Sequence, residues 1–109
     1  MSKITTHVLD TVFGKPAAGI TVRLEARQGD TWRAAGSSVT DADGRCRDLV
    51  ESATEGIYRL TFATAEYFRQ NGRESIYPEI SVTFICNGEA DFHLPLLLSG
   101  NSYTTYRGS

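Results

Sequence analysis

Two histidines occur in the chain, His7 in "TTHVLDT" and His93 in "DFHLPLLLS", and imidazole is the side chain that changes charge near neutrality. They are the first candidates for moving a proton; Arg45, directly after the turn sequence "DADG" and at the start of a strand, means little alone. Parity gives the histidines a direction. Phe92, Leu94, Leu96 and Leu98 form the apolar set of one stretch, which leaves His93 on the opposite side with Asp91; Ile4 and Val8 form the apolar set of another, and His7 points away from them. Exposed surface histidines and an exposed arginine would produce the same pattern, so the residues by themselves leave both readings open. A metal centre built from the histidines with a cysteine or Asp91 lacks the close ligand pairs of zinc motifs, so no metal is expected. No G-x-S-x-G elbow and no glycine-rich phosphate loop occurs. Cys46 and Cys86 make no C-x-x-C unit and are read as free thiols.

The elements that must carry these groups are strands. "ITVRLEA" alternates Ile20, Val22, Leu24 and Ala26 with Thr21, Arg23 and Glu25; "GIYRLTF" and "EISVTFIC" repeat the pattern with Tyr58, Leu60, Phe62 and with Ile80, Val82, Phe84, Cys86. Turn signals separate the runs: "FGKPAAG", "QGD", "DADG" and two Asn-Gly pairs. Short alternating strands at this spacing predict an all-β sandwich or barrel. One segment differs. "TAEYFRQ", Thr64 to Gln70, has helix formers, Thr64 as the expected N-cap, Glu66 in the first turn and Asn71-Gly72 as a stop.

At 109 residues, a single domain over 1–109 is expected. A hydrophobic content of 40% is too high for a disordered chain, and no apolar run approaches the ~20 residues of a membrane helix. Net charge is −2 and the basic residues are scattered, which argues against nucleic acid. The opening "MSKITTHVLD" lacks the apolar core of a secretory signal, so a cytoplasmic protein is expected. The other end, "YTTYRGS" from Tyr103 to Ser109, reads as a strand where a frayed polar tail would be usual.

The stretches "THVLDTVFGKPAAGITVRL", "TDADGR", "YPEISVTF", "HLPLLLS" and "YTTYRGS", in this order and at these separations, closely resemble the 5-hydroxyisourate hydrolases, the transthyretin-like proteins of urate breakdown. The resemblance runs from Ile4 to Ser109, and its most specific element is the Tyr-Arg-Gly-Ser ending. It implies a transthyretin-type sandwich of two four-stranded antiparallel sheets with one short helix. It implies a homotetramer, a dimer of dimers, with active sites in the channel between dimers. The implied catalytic residues are His7, Arg45 and His93, and the implied substrate contacts are Arg45, Tyr106, Arg107, Gly108 and Ser109. The implied reaction is hydrolysis of 5-hydroxyisourate at the N1–C6 bond, without a cofactor. A transthyretin-like carrier of small ligands is the alternative on the same scaffold. The chain departs from the resemblance at three positions: Asp91 stands where members commonly carry another histidine, Gly100 where proline is frequent, and Thr104 where serine is usual. Asp91, on the side of His93, is expected to orient that imidazole or raise its pKa.

Overall fold

Every second residue of the first strand, β1 (Ser2–Asp10), is buried, as a strand with one face on a core requires. In this computed structural model, which describes residues 1–108, the chain continues through β2 (Lys15–Pro16), β3 (Thr21–Gln28), β4 (Thr31–Val39), β5 (Arg45–Ala53) and β6 (Gly56–Phe62). The helix α1 (Thr64–Gln70), β7 (Ile80–Cys86), β8 (Phe92–Leu98) and β9 (Tyr103–Thr105) complete it.

Two sheets face each other. One has the order β2-β1-β8-β9 with β5 also pairing β1, and the other the order β4-β3-β6-β7. The alternating sets meet between them: Ile4 and Val8 from β1, Val22 and Leu24 from β3, Leu60 and Phe62 from β6, Leu96 and Leu98 from β8, all at most 1% exposed. Burying a side chain of this kind fully contributes about 1.5–3 kcal/mol, so this shared face is what holds the layers together. Val82 and Phe84 sit half-buried at its margin.

The expected sandwich with its lone helix is present, and the sheets differ in detail from two antiparallel sets of four. β1 and β8 run parallel, from Ile4 opposite Phe92 to Asp10 opposite Leu98. The short β2, formed inside the segment read as a turn, adds a fifth member to that sheet. Parity assigns a face to each residue but says nothing of which strand lies alongside, and the parallel pair escapes it for that reason.

The helix has the expected bounds and a different start. Ala63 is its N-cap; among the described residues no side chain caps it and the buried Thr64 hydroxyl has no partner. What fastens the helix is a buried network. Asp10, at the end of β1, accepts hydrogen bonds from the Tyr67 hydroxyl at 2.7 Å, from Arg73 at 2.5 Å, and from the backbone N–H groups of Val12 and Phe13 at 3.1 Å each. Burial pulls the Asp10 carboxyl upward and is the largest single influence, but the hydrogen bonds from Arg73, Tyr67 and Phe13 together outweigh it and hold the group below its ordinary value. Burial and the bond to Asp10 push the Tyr67 phenol up to about 12.

Candidate active site

The outer face of the first sheet is where the sequence-predicted groups meet. His7 lies opposite Arg45 in the β1–β5 pairing, and Thr5, two residues earlier on the same face, lies opposite His93 in the β1–β8 pairing. Three strands thus bring residues from the beginning, middle and end of the chain onto one patch.

Arg45 is set by the turn before it. Asp41 Oδ1 accepts the N–H groups of Asp43 and Arg45, each at 2.9 Å, and Gly44 closes the turn at φ +78°, a conformation that glycine adopts without steric cost. The Arg45 N–H, and after it other contacts within the turn, holds the exposed Asp41 carboxyl below its ordinary value. The guanidinium itself makes no hydrogen bond or ion pair among the described residues, so its fork remains available. The same turn holds His7. Its Nε2 lies 2.8 Å from the Asp43 carbonyl oxygen, and since a carbonyl only accepts, Nε2 carries the proton.

His93 is half-buried, and its Nδ1 lies 2.8 Å from the Thr5 hydroxyl. Burial first, then the positive charge of Arg45 and the presence of His7, hold its pKa below the ordinary 6.5. The ring is therefore neutral at neutral pH, as a proton acceptor must be. The expected partnership with Asp91 is absent: Asp91 Oδ1 accepts the backbone N–H of Lys3 at 3.0 Å, and the His93 pKa moves down, not up. Thr5 takes the place given to Asp91. Its outward side was legible, but its position against His93 follows from the parallel register of β1 and β8.

The tail reaches the same patch. β9 pairs antiparallel with β8, the ladder breaks at Tyr106 and Arg107, and it resumes in register where Gly108 bridges His93, with the Gly108 N–H donating to the His93 carbonyl at 2.7 Å. A methyl group at Gly108 would fall 2.8 Å from His93 Cδ2, inside any normal contact, so only glycine lets the backbone come this close. Tyr106 is 51% exposed. Arg107 lies over the Phe92 ring at 4.1 Å and reaches the Asp91 carbonyl at 3.4 Å, so its guanidinium turns toward the start of β8. Ser109, the last of the expected tail contacts, lies outside the described residues.

With the geometry in place, comparison with known proteins identifies the family. The family model described as "HIUase/Transthyretin family" matches residues 4–108. The chain belongs to this family. Its similarity to the 5-hydroxyisourate hydrolase of Mus musculus is 45% identity, with 99% of this chain and 96% of that protein covered. Among solved structures, the 5-hydroxyisourate hydrolase of Klebsiella pneumoniae superposes with a TM-score of 0.89 at 39% identity over the whole of both chains. Sea bream transthyretin in complex with thyroxine superposes with a TM-score of 0.93 at 30% identity, covering 97% of this chain and 94% of that one. The same backbone thus carries both 5-hydroxyisourate hydrolases and a transthyretin found in complex with thyroxine, and side chains must separate them.

Proposed function

We propose that the whole chain, residues 1–109, is one hydrolase domain that opens 5-hydroxyisourate at the N1–C6 bond, giving 2-oxo-4-hydroxy-4-carboxy-5-ureidoimidazoline in urate catabolism. The observation that carries this reading is a neutral imidazole, His93, with Nε2 unengaged among the described residues, on one face with His7 and the unpaired fork of Arg45. Binding a hydrophobic hormone needs none of these.

The chemistry follows from the protonation states. His93 Nε2 takes a proton from water, the resulting hydroxide attacks the C6 carbonyl, and negative charge builds on that oxygen. Arg45 stabilises the oxyanion with donors already in place. Collapse breaks the N1–C6 bond, N1 receives the proton from His93, and C6 leaves as a carboxyl group. His7, with its proton held on Nε2 by Asp43, presents Nδ1 as an acceptor that can orient the water. Tyr106, Arg107, Gly108 and Ser109 complete the substrate contacts in this reading, Gly108 by its approach to His93. No cofactor enters.

A homotetramer, a dimer of dimers with its sites in the channel between dimers, completes the proposal, because the polar patch stands on an outer face beside Leu9 and Leu97, which are only half-buried. No described helix is long and apolar enough to cross a membrane. Free, buried Cys46 and Cys86 support a reducing compartment, the cytoplasm. The deciding assay generates 5-hydroxyisourate from urate with urate oxidase and follows its near-ultraviolet absorbance after this protein is added. Decay well above the spontaneous rate is expected; decay at the spontaneous rate, with thyroxine bound instead, would leave the carrier.

A further inference from the structure

We propose that Thr5 is a positioning residue for the hydrolytic site, an uncharged hydroxyl that holds the His93 ring by Nδ1 and so directs Nε2 toward the water and substrate. The proposal rests on the hydrolase reading.

The geometry narrows what can hold this ring. Thr5 Oγ1 is the one side-chain partner of His93 among the described residues, at 2.8 Å, and it comes from the neighbouring strand at the directly opposed register position. On the opposite edge of the ring the Gly108 backbone closes on Cδ2. An imidazole pinned at Nδ1 and flanked at Cδ2 has its remaining nitrogen facing out of the sheet.

The charged and titratable groups around it come from four segments. Lys3 and His7 lie on β1, Arg45 on β5, Asp91 directly before β8, and Arg107 in the tail. The two that could serve His93 in other ways are engaged: Asp91 with the Lys3 N–H, Arg107 over Phe92. Among the described residues no carboxylate is hydrogen-bonded to the ring.

A hydroxyl and a carboxylate behave differently at this position. A carboxylate would accept from Nδ1–H and also favour the imidazolium, making His93 cationic before any water bound. In the proposed arrangement the Thr5 hydroxyl, which can donate or accept, accepts from Nδ1–H, leaving the lone pair on Nε2 and adding no charge. When Nε2 takes a proton, Nδ1–H still donates to the same oxygen, now as a stronger, charge-assisted bond. The ring keeps its orientation through the proton transfer and its basicity stays low enough to return the proton to N1.

The test compares wild type, Thr5→Val and Thr5→Ser. Valine keeps the β-branched shape a strand favours and removes only the hydroxyl. We expect Thr5→Val to lower kcat by about tenfold to a hundredfold with KM within about twofold, as misplacement of a reacting group does, and Thr5→Ser to recover most of it. Two-bond 1H–15N spectra of the imidazoles should show neutral His93 protonated at Nδ1 in the wild type and shifted toward the Nε2–H tautomer in Thr5→Val. Unchanged kcat in Thr5→Val, an unchanged His93 tautomer, or a loss that tracks a lowered melting temperature and is not recovered by serine would each overturn the proposal. If the wild-type protein does not hydrolyse 5-hydroxyisourate, the hydrolase reading fails on that measurement alone, and the tautomer comparison still decides whether Thr5 governs the ring.

Discussion

His7 and His93 differ in what their rings touch, and that difference separates their roles. A backbone carbonyl fixes the proton of His7 on Nε2, whereas His93 meets a hydroxyl and is kept neutral by burial and by Arg45. His7→Asn, Arg45→Gln and His93→Asn should each lower turnover by on the order of a hundredfold, because each removes a base, a water contact or an oxyanion donor. Melting temperatures should barely move, since all three lie off the core face; a variant with near wild-type turnover would remove its residue from the mechanism. The acid limb of kcat/KM should report His93, with its midpoint below the ordinary 6.5, since the folded enzyme keeps the active neutral ring as pH falls through that value. Parity is local, so the outward side of both histidines was legible, while their roles and that of Arg45 came only with the family resemblance. The role of Thr5 was not legible: its partner lies 88 residues away.

Single elements carry two further expectations. The tail was read as a strand over 103–109, and the structure keeps the ladder at Tyr103–Thr105 and at Gly108, with Arg107 turned aside onto Phe92. Gly108→Ala should push the tail off His93 and cut kcat by at least about tenfold, while circular dichroism and melting stay near wild type. Full activity in that variant would make the close approach incidental. The helix was legible from composition, but its anchor was not, because Asp10 sits in a strand pattern where an acid reads as an end of a run. Asp10→Asn leaves the Arg73 guanidinium without its buried carboxylate and should cost about 3 kcal/mol, a fall in melting temperature of roughly 10 °C or more. The folded carboxyl lies below the ordinary 3.8, so the stabilisation is present above that value and lost as pH falls through the folded pKa. His93 adds in the same direction from a higher pH, because the unfolded chain takes up its proton first below 6.5. Urea melts of the Asp10→Asn protein should therefore show a weaker dependence on pH in the acid range than those of the wild type.

At the scale of the whole molecule, light scattering should report about four times the 12.0 kDa chain mass; an active monomer would refute the channel model. Two layers around one alternating core were predictable from period-two runs, whereas the order of strands was not, since alternation is blind to neighbours. That order has a consequence for how the protein is made. The first strand to leave the ribosome finds its parallel partner only in the second-last one, after nearly the whole chain has been synthesised. Until then β1 can pair with β5 and keeps its other edge open, a template for strands of other nascent copies. Closing a contact between segments so far apart in sequence is slow, because the chain entropy is lost before the pairing repays it. His7 can meet Arg45 in the early β1–β5 pairing, whereas Thr5 meets His93 only once β1 and β8 have closed. The outer patch is therefore among the last features of the fold to be assembled.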